Sequence, residues 1–272
     1  MAERSGIEWT DATWNPTVGC TKVSPGCAHC YAERITRRFP RTFPQGFSLV
    51  LRPEALELPL HWRQPRMVFV NSMSDLFHKN VPTAFIEQVF AVMAACRRHT
   101  FQILTKRAGR LARLAPVLPW PPNVWIGVSV ETDRYAWRVD YLRQVPAAVR
   151  FLSAEPLLGS LVDVDLSGLQ WVIAGGESQS GARPTALTWF RELRDECIRL
   201  QVPFFLKQLG GHPDKRGGAK ARLDGRRWTQ RPASLHHELA LPVILDPLDL
   251  REELRAPGVF AGQQQTIQRC VL

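Results

Sequence analysis

The chain has 272 residues, 45% of them hydrophobic, with a formal net charge of +10 and a pI of about 9.8. That length buries a sizeable core and suits one large domain or two small ones, while the basic excess attracts polyanions without specifying which. The N-terminal MAERSGIEWTDATWNP has no apolar signal region and no stretch approaches the roughly 18 apolar residues of a membrane helix, so a cytoplasmic protein with no membrane partner is expected.

The first chemical signal along the chain is VGCTKVSPGCAHCYAE, residues 18–33, which sets Cys20, Cys27 and Cys30 in one loop after an expected first strand. Six cysteines are too few for a disulfide-stapled scaffold, and in a reducing compartment clustered thiols point to metal or redox chemistry. A structural zinc site closes with four ligands, so it needs a further donor such as His61, His78, His99 or a distant cysteine. His29, adjacent to Cys30, is badly placed to share its metal. A 4Fe-4S cluster held by three cysteines leaves one iron open to a substrate or cofactor. Spacing alone leaves both metals open. Cys96 and Cys197 lie in helix-like runs and read as buried, inert thiols, and Cys270 stands alone.

Short apolar runs follow at 67–72, 101–105, 124–130, 149–154, 171–176 and 202–207, with helical patterns at 83–97, 107–115, 133–144 and 187–200 between most of them. Near-continuous apolar strands alternating with helices indicate an α/β fold with a parallel sheet covered on both faces. A complete or partial (β/α) TIM-like barrel is expected rather than an open doubly wound sheet. The runs end in polar residues: Ser72, Ser74 and Asp75; Thr105 and Lys106; Ser129 and Glu131; Ser153 and Glu155; Gly175, Gly176 and Glu177; Lys207 and Gln208. In a parallel barrel these ends share one rim, where such folds assemble their sites.

Basic residues cluster in three runs. Residues 97–113 hold six Lys or Arg and no acid, residues 211–232 hold seven against two Asp, and Arg34, Arg37, Arg38 and Arg41 form the third. A nucleic-acid or nucleotide-phosphate surface is expected, with Trp9, Trp14 and Trp228 as candidates to stack a base. The alternation stops after residue 207. The expected organisation is a barrel domain over 1–210, a basic glycine-rich flap over 211–232 with a turn at Leu223-Asp224-Gly225-Arg226, and an appendage of uncertain order over 233–272.

The segments EWTDATWNPTVGCTKVSPGCAHCYAE, NSMSDLFH, ILTKR, VWIGVSVE, FLSAEPL, GGESQSGARP, FFLKQLGG and LDGRRW span roughly residues 5–230. Together they resemble a phage-associated and bacterial family of largely unknown function, whose three-cysteine motif resembles that of radical S-adenosylmethionine enzymes. The resemblance implies a 4Fe-4S cluster on Cys20, Cys27 and Cys30, S-adenosylmethionine as cofactor, and an external one-electron donor of flavodoxin or ferredoxin type. The gap of six residues between the first two cysteines is longer than in the commonest radical-enzyme motif, and His29 replaces the usual aromatic before the last cysteine.

On this pattern Ser72, Ser74 and Asp75, after the second strand, are candidates for the cofactor's amino group, and Ser129 or Glu131 for its ribose. Gly175-Gly176-Glu177 resembles the cofactor-binding element of those enzymes but follows a later strand; a tight turn using positive φ is its simpler reading. Glu155, Glu177 and Lys207 are the catalytic candidates on the substrate side. The expected activity is modification or repair of a base in a nucleic acid or nucleotide. The alternatives are a zinc-stabilised nucleic-acid-binding protein without catalysis, and a radical enzyme acting on a peptide or small metabolite.

Overall fold

The computed structural model describes residues 5–213 and 220–233. The appendage expected over 233–272 lies outside the described residues apart from Ala233, as do residues 214–219 of the expected flap and Cys270.

Seven parallel strands form one curled sheet: β1 (Ala12–Trp14), β4 (Met67–Val70), β5 (Thr100–Thr105), β6 (Val124–Ser129), β7 (Val149–Ala154), β8 (Trp171–Gly175) and β9 (Phe204–Gln208). The seven strands are arranged in the sheet in the order in which they occur along the chain, the order of a partial β/α barrel. Helices α2 (Thr83–Ala95), α3 (Ala108–Leu114), α4 (Trp137–Arg143) and α5 (Leu187–Arg199) connect most of them. β1 and β9 are the sheet's two edges, so the closed form of the expected barrel is absent among the described residues.

Alternation along the strands separates two cores. Val68, Val70, Ile103, Ile126, Val128, Leu152 and Val172 face outward into the layer beneath the helices. Phe69, Trp125, Phe151, Trp171 and Phe205 face inward and pack with Trp9 as an aromatic plug. The plug fills the lower part of the curl. Trp14 and Trp228 are buried against Phe101 and Phe204 and are not available to stack a base as expected; Trp9 is buried in the plug but also borders the space above it.

A long excursion between β1 and β4 carries the cysteines and α1 (Tyr31–Arg38). It is pinched at its base by the antiparallel pair β2 (Thr17–Val18) and β3 (Val50–Leu51). Gly19, at φ +85°, continues the pinch, since any side chain there would strike the Phe47 and Ser48 carbonyls.

The turn at Leu223–Arg226 is present, with Asp224 and Gly225 both at positive φ, and Arg191 and Arg194 of α5 hold Asp224. The described part of the expected flap packs down: Ala221, Leu223 and Trp228 are buried. Residues 226–231 run antiparallel beside β9, with Leu206 N donating to Trp228 O (2.8 Å) and Gln230 N to Phe204 O (3.2 Å). Arg231 then reaches across to donate to Glu8 O (2.8 Å) at the opposite edge.

Candidate functional site at the mouth of the half-barrel

The C-terminal ends of the parallel strands open into a cavity of about 890 Å³ above the aromatic plug. Ile7, Trp9, Phe69 and Leu104 form its apolar floor; Ser129, Ser153, Glu155, Glu177 and Lys207 supply polar groups from the strand ends. Cys27 and Cys30 form part of one wall. Cys20 lies outside this lining, on the other flank of the loop, where Arg107 Nη2 donates to its Sγ (3.5 Å). Burial first, and then the Asp75 carboxylate, push the Cys20 thiol up to about 11, against the opposing pull of Arg107. Ligation of a metal there must therefore displace a tightly held proton.

The cysteine loop is held from several sides. Glu131, just past β6, is fully buried, pairs with Arg138 (2.8 Å) and accepts a hydrogen bond from the Ser24 hydroxyl. Gly26 lies so close over it that a Cβ would come within 2.5 Å of Glu131 Cγ. On the other flank Glu177, just past β8, accepts from His29 Nδ1 (2.9 Å) and from the Arg183 backbone (2.9 Å) and guanidinium, and Arg183 also donates to Pro25 O (2.9 Å). Burial alone would raise the Glu177 pKa; these hydrogen bonds outweigh it and hold the carboxyl at about 2. Two carboxylates from separate strand ends thus grip one loop.

The same strand-end signal supplies the base of the loop. Ser74 Oγ donates to Gly19 O (2.6 Å), and Ser72 Oγ donates to Asn15 Oδ1 (3.2 Å). Asp75 accepts from Thr105 Oγ1 (2.8 Å), Phe77 N and Lys106 N, tying the end of β4 to the end of β5. None of these three lines the cavity, and neither does Glu131, so the expected assignment of the group to a cofactor's amino and ribose moieties meets side chains already engaged in holding the loop.

Of the other expected residues, Ser129, Glu155, Gly176, Glu177 and Lys207 share the cavity with Cys27 and Cys30. Lys207 Nζ lies 3.0 Å from Glu155 Oε1. Gly175 and Gly176 do not have the positive φ expected of them. Their lack of a side chain serves close packing: a Cβ on Gly175 would meet Glu155 (2.6 Å), and one on Gly176 would meet Leu209 O (2.7 Å) and Gly210 Cα (2.8 Å).

Sequence reasoning missed the roles of His29, Arg183, Arg138 and Arg107 as supports of the loop. Only the Gly-Ala-Arg-Pro and Leu-Thr-Lys-Arg wording around two of them hinted at a special position. Cys96 and Cys197 are buried and form no disulfide among the described residues. Among the described residues no three His, Cys, Asp or Glu side chains converge as a single-ion site. Thiols are the donor chemistry of zinc sites and of iron-sulfur clusters alike, and the latter space their ligands more widely than a single ion does. No described helix is long and apolar enough to cross a membrane.

A family model described as "Protein of unknown function (DUF5131)" matches residues 4–232. No curated protein and no solved structure matches the chain.

Proposed function

We propose a function for this chain, a member of the DUF5131 family, from its own site: an iron-sulfur enzyme of the radical S-adenosylmethionine type, acting on a base of a nucleic acid or nucleotide. One observation carries the reading. A three-cysteine loop, rigidly supported by two strand-end carboxylates, is laid over the mouth of a curled parallel sheet, beside a cavity large enough for a cofactor and part of a substrate.

Cys20, Cys27 and Cys30 would hold a 4Fe-4S cluster with one iron open. Such a cluster, given one electron from an external donor of flavodoxin or ferredoxin type, supplies reductive cleavage of S-adenosylmethionine and a carbon radical able to abstract hydrogen.

The chain's own groups account for the rest. The aromatic plug closes the lower end against water, which protects a reactive intermediate from side reactions. Ser129 and Ser153 offer hydroxyls to ribose or base edges at the cavity wall. Lys207, oriented by Glu155, presents an ammonium that can donate to an anionic or carbonyl oxygen of the bound substrate.

Anaerobic purification, with iron, sulfide and zinc quantified and the reduced protein examined by EPR, tests the reading. About four irons and four sulfides per chain, a spectrum altered by S-adenosylmethionine, and loss of both in Cys20→Ala, Cys27→Ala and Cys30→Ala are expected. Zinc without iron or sulfide would end the enzyme reading and leave a zinc-stabilised protein.

A further inference from the structure

Three basic runs in the sequence have different fates. In the run over 97–113, Arg98 donates to Arg63 O, Arg107 to Thr21 O and Cys20 Sγ, and Arg110 to the His78 and Val81 carbonyls. In the C-terminal run, Arg222 donates to Gly225 O, Arg226 lies over the Trp228 ring, and Arg231 donates to Glu8 O. These cations brace the fold. The shortest run, on α1, is different: Arg34, Arg37 and Arg38 are exposed and line the cavity mouth. Arg37 pairs with Glu33 (2.6 Å), which also takes Lys22 (3.2 Å); Arg34 and Arg38 form no ion pair among the described residues.

The charge balance of the cavity agrees. Five cations line it (Arg34, Arg37, Arg38, Lys106 and Lys207) against three carboxylates, Glu8, Glu155 and Glu177. Glu155 is taken by Lys207, and Glu177 by Arg183 and His29. Arg34, Arg38 and Lys106 remain without an ion pair among the described residues, with Glu8 the one other carboxylate of this lining, an excess of positive charge that an anionic ligand would neutralise. Arg34 and Arg38 stand one helical turn apart, about 6 Å along the axis, a separation comparable to that of successive phosphates on an extended strand.

Exposed aromatics flank these arginines. Tyr31 opens α1 at 39% exposure, and Phe39 follows its last residue at 49%, with the Arg38 guanidinium 5.5 Å from its ring centroid. Alternating cations and exposed rings form the surface on which single strands lie, phosphates on the cations and bases on the rings. A cavity of about 890 Å³ with an apolar floor accepts one unstacked nucleotide and excludes a duplex.

We propose that α1 is a binding ridge for single-stranded nucleic acid, with Arg34 and Arg38 on consecutive phosphates, Tyr31 and Phe39 under flanking bases, and the intervening nucleotide directed into the cavity. This deepens, and rests on, the reading of the site as one for a nucleic acid or nucleotide. It names an extended strand in place of a free nucleotide or a duplex.

The test is fluorescence anisotropy of the full chain, before any cluster is reconstituted, with a labelled single strand of about 12 nucleotides. The same sequence as a duplex, and a mononucleotide as competitor, complete the comparison across a salt series. The single strand is expected to bind more tightly than the duplex, and the mononucleotide to compete poorly. The Arg34→Gln, Arg38→Gln double variant should flatten the log–log salt slope by about 1.4, two phosphates at about 0.7 each. Phe39→Ala should weaken strand binding about tenfold while leaving mononucleotide competition unchanged.

Unchanged affinity in both variants, tighter binding to the duplex, or mononucleotide competition as strong as that of the strand would overturn the proposal. No cluster is needed for this measurement. Strand binding by a chain that takes up no iron would leave the ridge standing and remove the radical enzyme; iron uptake without strand binding would do the reverse.

Discussion

Replacing Gly26 by alanine tests whether the cysteine loop is held as tightly as its geometry implies. The new Cβ would lie 2.5 Å from Glu131 Cγ and 2.8 Å from Cδ, far inside van der Waals contact. Glu131 cannot swing aside cheaply. It is fully buried and paired with Arg138, itself 2% exposed, and separating a buried pair costs about 3–5 kcal/mol. Lifting the loop stretches, without fully breaking, the Ser24 bond to Glu131 and the Arg183 bond to Pro25 O, so only a fraction is lost of the about 1.5–3 kcal/mol that each is worth when one partner is charged. The loop is the softer element, so it moves, at a cost of about 1–3 kcal/mol.

Thermal melts should shift down by about 2–4 °C per kcal/mol while staying cooperative. On the proposed function, iron and sulfide retained after anaerobic reconstitution should also fall, because Cys27, next to Gly26, is displaced with the loop. Gly109→Ala, in α3 with nothing within 4 Å of its Cβ, is the control and should be neutral or slightly stabilising. Full iron content and an unshifted melt in Gly26→Ala would refute the claim that Glu131 supports the loop.

Glu177 predicts an acid sensitivity with a definite sign. Its carboxyl is held at about 2 in the fold against an ordinary 4.5, so its stabilisation is complete above 4.5 and is lost as pH falls toward 2. After allowance for solvent screening this amounts to about 1–2 kcal/mol. Melting temperature against pH on metal-free protein should show a shallower acid limb in Glu177→Gln than in the wild type, and parallel limbs would contradict the assignment. Beside the aromatic plug, a Cβ on Gly127 would lie 2.6 Å from Phe151 Cδ2. Gly127→Ala should therefore cost about 1–3 kcal/mol in urea unfolding. Adding Phe151→Leu should recover part of that loss, and strict additivity of the two changes would count against overpacking as its cause.

The sheet was legible because each of its longer strands is a nearly unbroken apolar run, the mark of burial on both faces. β1, three residues long and inside a tryptophan-rich stretch, was visible only as an unplaced strand before Cys20. The polar strand ends were equally visible, but their destinations were not. Ser129, Glu155, Glu177 and Lys207 reach the cavity, whereas Ser72, Ser74, Asp75 and Glu131, with the same local signature, are engaged by Asn15, Gly19, Thr105, Ser24 and Arg138. Those partners lie up to 107 residues away in the chain. Periodicity reports which way a side chain points; it says nothing about who already occupies the other end of its hydrogen bond. Basic runs mislead in the same way, since an arginine on a carbonyl and an arginine facing solvent look alike in sequence.

The contact between Arg231 and the carbonyl of Glu8 joins residues 223 positions apart. It bears on the order in which the molecule is made. A chain emerging from the ribosome can build the seven-stranded sheet one neighbour at a time, because each of its strands pairs with the strand of that sheet made just before it. The segment covering the last edge, and its tether back to the first, arrive only at the end. Until residue 231 is free, the wall beside β9 stays unpaired and the concave face remains open along that side. Synthesis halted short of that point would leave a sheet with an exposed edge, the feature most prone to association with other chains.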